Sequence, residues 1–286
     1  EHLNCCTKPH FFASYVDVPM KSDESTLKHY VLQMKEHVLK PLHENLGIDV
    51  SDQAIRKAVE EQNKISKLIT EIGDFRKEER PRITGYEFAV LTLATYCCPK
   101  DKLITKLEET LEEIKNRVPE EKGTYRCRVA MVGSEIDDPQ LIKLAEECGL
   151  IVVADRYCFG SLPGRQVIEL NEKEDALTQV CSYYMHSGQC PRFLTTEKVN
   201  ERHAYIDKIG KEYHVDGLII EQIKFCDYWG YGRAFMNAVM QNQYGYKTLS
   251  IDRPYNVGQS GQLRTRIQAF IEALEIKKIQ EEKEAK

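Results

Sequence analysis

Four short apolar runs, at 128–132, 150–154, 217–220 and 248–251, constrain this chain more than any other feature. Each is followed by polar residues. Unbroken runs of that length suit strands buried on both faces rather than strands with one wet side. Between the first two, Asp137-Asp138-Pro139 starts a helix with proline in its first turn. The helix over 139–148 stops at Gly149, a normal C-cap position. That is a βαβ unit within about 30 residues. A helix over 232–243 separates the last two runs, and a further helix over 261–276 follows them. The alternation predicts an α/β chain with a parallel sheet covered by helices on both faces. In such sheets ligands bind beyond the carboxyl ends of the strands.

The part before residue 123 reads differently. Residues 11–18 are rich in aromatic and β-branched types and stop at Pro19, which predicts a strand. From residue 24 the spacing is helical: Leu27, Val31, Met34, Val38 and Leu42 share one face, with a break expected near Pro41. Ser51-Asp52 offers an N-cap for the next helix. Two more follow, over 84–96 and 100–117. The expected organisation is therefore the end of an N-terminal α/β domain over 1–23, a helical linking segment over 24–122, a C-terminal domain over 123–276 and a solvated charged tail over 277–286. A chain of 286 residues has room for such a division.

Composition excludes several classes. A net charge of −5 leaves no basic face for nucleic acid. No stretch reaches the roughly 18 apolar residues of a membrane span. The opening residues Glu1-His2-Leu3-Asn4-Cys5-Cys6 are polar and lack the apolar centre of a signal peptide. They read like the middle of a domain, so an N-terminal region is expected ahead of them. The ten cysteines are scattered rather than framed as in a small secreted domain, which points to a reducing, cytoplasmic setting. None is paired as Cys-x-x-Cys, which removes a zinc ribbon or a thioredoxin-type motif.

The candidate chemistry lies in the loops after the strands. Asp155-Arg156-Tyr157-Cys158-Phe159-Gly160-Ser161 follows the second run. Glu221-Gln222-Ile223-Lys224-Phe225-Cys226-Asp227 follows the third. Asp252-Arg253-Pro254-Tyr255 and then Ser260-Gly261-Gln262 follow the fourth. Neighbouring strands would bring these loops to one crevice. A thiolate is the usual iron–sulfur ligand, and a helix N-terminus beside Cys226 favours its negative charge.

Five segments in order carry a family resemblance: Gly133-Ser134-Glu135-Ile136-Asp137-Asp138-Pro139, Asp155–Ser161, Gly188-Gln189-Cys190-Pro191-Arg192, Lys224-Phe225-Cys226-Asp227 and Ser260-Gly261-Gln262-Leu263-Arg264-Thr265-Arg266. Together they resemble the C-terminal landmarks of the 2-hydroxyacyl-CoA dehydratase and benzoyl-CoA reductase subunits, over about residues 10–276. The resemblance implies a flavodoxin-like doubly wound sheet domain preceded by a helical segment. It implies a four-iron–four-sulfur (4Fe-4S) cluster with Cys226 as one ligand and two further ligands from an N-terminal domain that does not precede residue 11 here. It also implies an acyl-CoA substrate, a homologous second subunit forming a heterodimer, and an ATP-dependent iron–sulfur activator protein that delivers one low-potential electron. Dehydration of an (R)-2-hydroxyacyl-CoA, a lyase reaction of anaerobic metabolism, is the leading expectation. A benzoyl-CoA reductase-type oxidoreductase, a double-cubane-cluster reductase and a structural partner subunit without a cluster stay open.

Each site residue also has a plainer reading. Cys226 could be an ordinary buried cysteine. Cys158 either lines the cluster pocket or packs. Ser260, Gly261 and Gln262 either cradle an anion with their backbone N–H groups or simply start a helix. Trp229 either shields the cluster from water or anchors its helix. The sequence assigns no catalytic residue.

Overall fold

All four apolar runs are strands, and each extends further than its apolar residues. Described in the computed structural model are residues 13–119, 125–161, 166–187, 190–192, 195–255 and 260–284. Within them the chain forms two compact units. The first comprises residues 13–63, 168–187 and 192, and the second the other described residues.

The first unit begins with α1 (Glu24–Met34), whose N-cap Asp23 accepts the Thr26 N–H while the Thr26 hydroxyl accepts the Asp23 N–H. The expected break near Pro41 takes an unexpected form. A π-helical turn, Lys35–Leu39, leads straight into α2 (Lys40–Leu46), with Pro41 in its first turn. A proline lacks the N–H that an interior helical residue needs, and a first-turn position does not need one. Gly47 then ends α2 in the left-handed conformation, φ 66°. Val31 packs with Leu177 and Cys181 of a later helix, Ala176–Ser187. The strand expected over 11–18 does not form: residues 13–19 have no regular structure, and 11–12 lie outside the described residues.

α3 (Asp52–Asp74) starts with Ser51, whose hydroxyl accepts the Ala54 N–H. Its second half belongs to the second unit, where Ile65, Ile69 and Ile72 share a core with Phe88 of α4 (Gly85–Cys97) and Leu107 of α5 (Lys100–Asn116).

The sheet follows: β1 (Cys127–Gly133), α6 (Gln140–Glu147), β2 (Leu150–Arg156), α7 (Ala176–Ser187), α8 (Thr196–Glu212), β3 (Gly217–Ile223), α9 (Asp227–Asn242), β4 (Lys247–Arg253) and α10 (Ser260–Glu284). All pairings are parallel, in the order β2-β1-β3-β4. Val129, Met131, Val152 and Ile219 point to one face, against α6 and α10. Ala130, Val132, Val153 and Ile220 point to the other, against α8 and α9. This is the doubly covered sheet that the unbroken apolar runs require. The chain runs outward from β1 to β2, then crosses back to β3, so the crevice between β1 and β3 is the switch point where ligands bind in such folds.

α10 continues to Glu284, and Lys278 pairs with Asp216 at 2.7 Å while Lys277 donates to the Gly245 carbonyl. No helix among the described residues is long and apolar enough to cross a membrane.

Candidate functional site

The turn after β3 carries Cys226 to the mouth of the switch point. Lys224 N–H donates to the Arg253 carbonyl at 2.8 Å, and Cys226 N–H donates back to the Ile223 carbonyl at 3.2 Å. Between them Phe225 takes φ 71° and is 96% exposed. A left-handed Phe is strained, and such strain persists where the surroundings over-determine it. Cys226 is the N-cap of α9, half-buried, and its carbonyl accepts from Gly230 N–H and Gln222 Nε2. It therefore stands where the first-turn N–H groups of a 16-residue helix lack intrahelical partners.

Cys158 comes to the same place from β2. Its N–H donates to the Ser134 carbonyl at 2.8 Å, and solvent reaches it. The protein packed around its other sides still pushes its thiol up to about 11, and the neighbouring Cys190 and Cys226 act in the same direction. Arg156 and the Trp229 indole N–H pull the other way, although that N–H completes no full hydrogen bond. Cys158, Cys190 and Cys226 thus share one electrostatic neighbourhood.

Two buried guanidinium groups border it. Arg156 ends β2 and Arg202 lies on α8, and they stand 5.5 and 5.3 Å from the centre of the Trp229 ring. Burial and the Arg156 charge lower Arg202 to about 10. Next to it, burial and the Arg202 charge lower His203 to about 4, so the imidazole is neutral. This flank of the crevice is positive and holds indole and thiol groups.

Beneath the Cys226 turn lie Ser134, Glu221 and Arg253, all essentially sealed from water. Burial pushes the Glu221 carboxyl up to about 7, against the pull of Arg253 and Ser134. Ser134, Glu221 and Arg253 lie in segments marked by the sequence, but their pairing does not show there because they meet across strands, and Arg202 meets Trp229 from one helix to another.

The thiols and the positive flank suit an anionic, thiolate-bound group, and Cys226 is chemically fit to give one ligand. Among the described residues no three His, Cys, Asp or Glu side chains are arranged to hold a metal ion. The other sequence candidates fare differently. Ser260 opens α10, but its side chain and residues 256–259 lie outside the described residues, as do Cys5 and Cys6. Gly261 has open space around it and Gln262 is exposed. Cys127 and Cys181 are buried in cores, and Cys97 and Cys98 are exposed.

A family model described as "2-hydroxyglutaryl-CoA dehydratase, D-component" matches residues 5–274. The chain is 24% identical over 240 residues to the putative dehydratase subunit YjiM of Escherichia coli (strain K12), covering 82% of this chain and 61% of that protein. It is 25% identical over 260 residues to the (R)-phenyllactyl-CoA dehydratase beta subunit of Clostridium sporogenes, covering 91% and 67%. With a benzoyl-CoA reductase subunit of Thauera aromatica it shares 21% over 221 residues, covering 77% and 56%. The chain spans 56–67% of the length of these curated relatives.

Proposed function

The chain belongs to the 2-hydroxyglutaryl-CoA dehydratase D-component family, and from that premise we propose that it is an iron–sulfur subunit of a radical enzyme acting on an acyl-CoA thioester. The reaction is dehydration of an (R)-2-hydroxyacyl-CoA. The observation that carries this reading is the position of Cys226: a thiol at a helix N-terminus, at the switch point of a doubly wound sheet, in the electrostatic neighbourhood of Cys158.

When bound, a four-iron–four-sulfur cluster supplies a single electron of a potential that no side chain provides. The residues of this chain do the rest. Cys226 would give one ligand. Cys158 lines the pocket as a neutral thiol. Arg156 and Arg202 balance the negative charge of a thiolate-bound group, and Trp229 fills the space between them and the thiols, keeping water out. Ser260, Gly261 and Gln262 offer backbone N–H groups to a phosphate of the CoA moiety. The partners are a homologous second subunit, since relatives are themselves named as subunits, and, by the family resemblance, an ATP-dependent iron–sulfur activator.

The likeness to the benzoyl-CoA reductase subunit favours a reductase as the second reading. The shared neighbourhood of Cys158, Cys190 and Cys226 favours a two-cluster reductase as a third. Iron and acid-labile sulfide per chain, measured on anaerobically purified protein with its partner subunit, separate them. About four irons, lost in Cys226→Ser without loss of the fold, is the expected result. About eight would favour the two-cluster reading. Iron unchanged in Cys226→Ser would overturn the ligand assignment, and no iron in the unmodified protein would leave a structural partner subunit.

A further inference from the structure

Ser134 uses every polar group it has. Its N–H donates to the Glu221 carbonyl at 3.2 Å, and its own carbonyl accepts the Cys158 N–H at 2.8 Å. Its hydroxyl donates to Glu221 Oε2 at 2.9 Å and accepts the Ile223 N–H at 2.6 Å. A hydroxyl has one proton to give. Committing it to the Glu221 carboxylate fixes the rotor, so the oxygen lone pair must face Ile223. The Ile223 carbonyl in turn holds the Cys226 N–H.

Glu221 is held from the opposite side. Arg253 Nε lies 2.8 Å from Oε1, close enough for an ion pair though off the line of a good hydrogen bond. The same guanidinium donates to the Glu135 carbonyl at 2.7 Å, and the Arg253 carbonyl receives the Lys224 N–H. Ile223 is therefore two hydrogen bonds from Glu221, Cys226 one further, and Lys224 is joined to Glu221 through the backbone and side chain of Arg253. A Cβ on Gly133 would run into the Glu221 carbonyl, so that glycine permits the close approach of β1 and β3 on which the hub depends.

An apolar pair of similar volume would stabilise a core at least as well as a buried Glu–Arg pair. What the carboxylate adds is direction. We propose that Ser134 and Glu221 are positioning residues: one buried hub that sets the Cys226 turn through the Ser134 hydroxyl and the Cys158 loop through the Ser134 carbonyl. The inference deepens the reading of these cysteines as the working site and rests on it for its purpose. Its geometry is tested without iron.

The test is the rate of iodoacetamide alkylation at each cysteine of the iron-free full chain, resolved by mass spectrometry, with exposed Cys97 as internal reference. Ser134→Ala removes the hydroxyl and keeps the carbonyl. It should speed Cys226 about fivefold, the opening expected when one ordinary hydrogen bond is lost, and leave Cys158 unchanged. Glu221→Leu removes the acceptor and also strands the buried Arg253 charge, so it should speed Cys226 at least as much, whereas Glu221→Gln keeps an acceptor of the same shape and should restore the slow rate. Wild-type protein gives an independent reading, since the Ile223 and Cys226 amide protons should exchange with the same protection. Cys226 unmoved in Ser134→Ala, all cysteines accelerating together, no difference between Glu221→Leu and Glu221→Gln, or independent exchange of the two amides would each overturn the proposal. Iron content is untouched by any of these outcomes, so a failure here is distinct from a failure of the cluster assignment.

Discussion

Arg76 and Asp155 meet at 3.1 Å with both side chains shut away from water, 1% and 2% exposed. Arg76 also lies 3.6 Å from the centre of the Phe88 ring, and Asp155 accepts the Ser161 N–H at 2.6 Å. One pair thus ties the end of α3 to β2 and to the loop that carries Cys158. Removing either partner strands a buried charge. Arg76→Ala should cost about 3–5 kcal/mol in urea unfolding. Arg76→Met with Asp155→Leu should recover much of that loss, because no charge is then left behind. A double variant no more stable than the worse single variant would contradict this.

Gly133 has no room for a side chain. Gly133→Ala drives a methyl group into the Glu221 carbonyl, which is sheet backbone and cannot rotate away. The strands must part, at about 1–3 kcal/mol by the usual cost of overpacking. Thermal unfolding should show a lower midpoint, with Gly261→Ala as the control, since open space surrounds Gly261.

The sheet was legible in the sequence because its signal is local. Buried parallel strands are short apolar runs, and Gly149 and Ser51-Asp52 mark element ends by their own chemistry. Two helices were not read. Thr196–Glu212 is mostly polar, and its only apolar anchors in the core are Ile206 and Ile209, although Thr195 caps it in the usual way. Ala176–Ser187 carries only a short apolar stripe, Leu177, Cys181 and Met185. The strand expected over 11–18 rested on residue types alone, which describe a pleated surface only when a neighbour supplies the ladder. In the site, Cys158 and Cys226 were legible as cysteines after strands. The hub was not: Ser134 and Glu221 are 87 residues apart in the chain, and only the β1–β3 pairing brings them together.

Cys158 should react slowly despite its exposure. A thiol pushed up to about 11 is almost wholly protonated at neutral pH. Its scarce thiolate is intrinsically more nucleophilic, which returns part of the loss, so alkylation should run about tenfold slower than at an ordinary exposed cysteine. Cys158→Ala should keep most of the iron that Cys226→Ser loses. Loss of iron in both variants would make Cys158 a ligand.

Glu221 and His203 titrate in overlapping ranges with opposite consequences for stability. Burial raises Glu221 from 4.5 to about 7, and burial with the Arg202 charge lowers His203 from 6.5 to about 4. An acid that holds its proton more tightly when folded withdraws stability as pH rises from 4.5 through 7. A base that holds its proton less tightly when folded withdraws stability as pH falls from 6.5 through 4. Between 4.5 and 6.5 the two slopes oppose each other and largely cancel in the unmodified protein. Substitution separates them. Relative to the unmodified protein, Glu221→Gln should gain on the order of 2–3 kcal/mol as pH rises across its window, whatever the fixed cost of leaving Arg253 without a charged partner. His203→Gln should gain by a similar order as pH falls across its own window. Urea unfolding at a series of pH values reads both differences, and groups common to both proteins drop out of the subtraction. A flat difference for Glu221→Gln would mean that Arg253 keeps the carboxylate ionised throughout, and a flat one for His203→Gln that water reaches the imidazole.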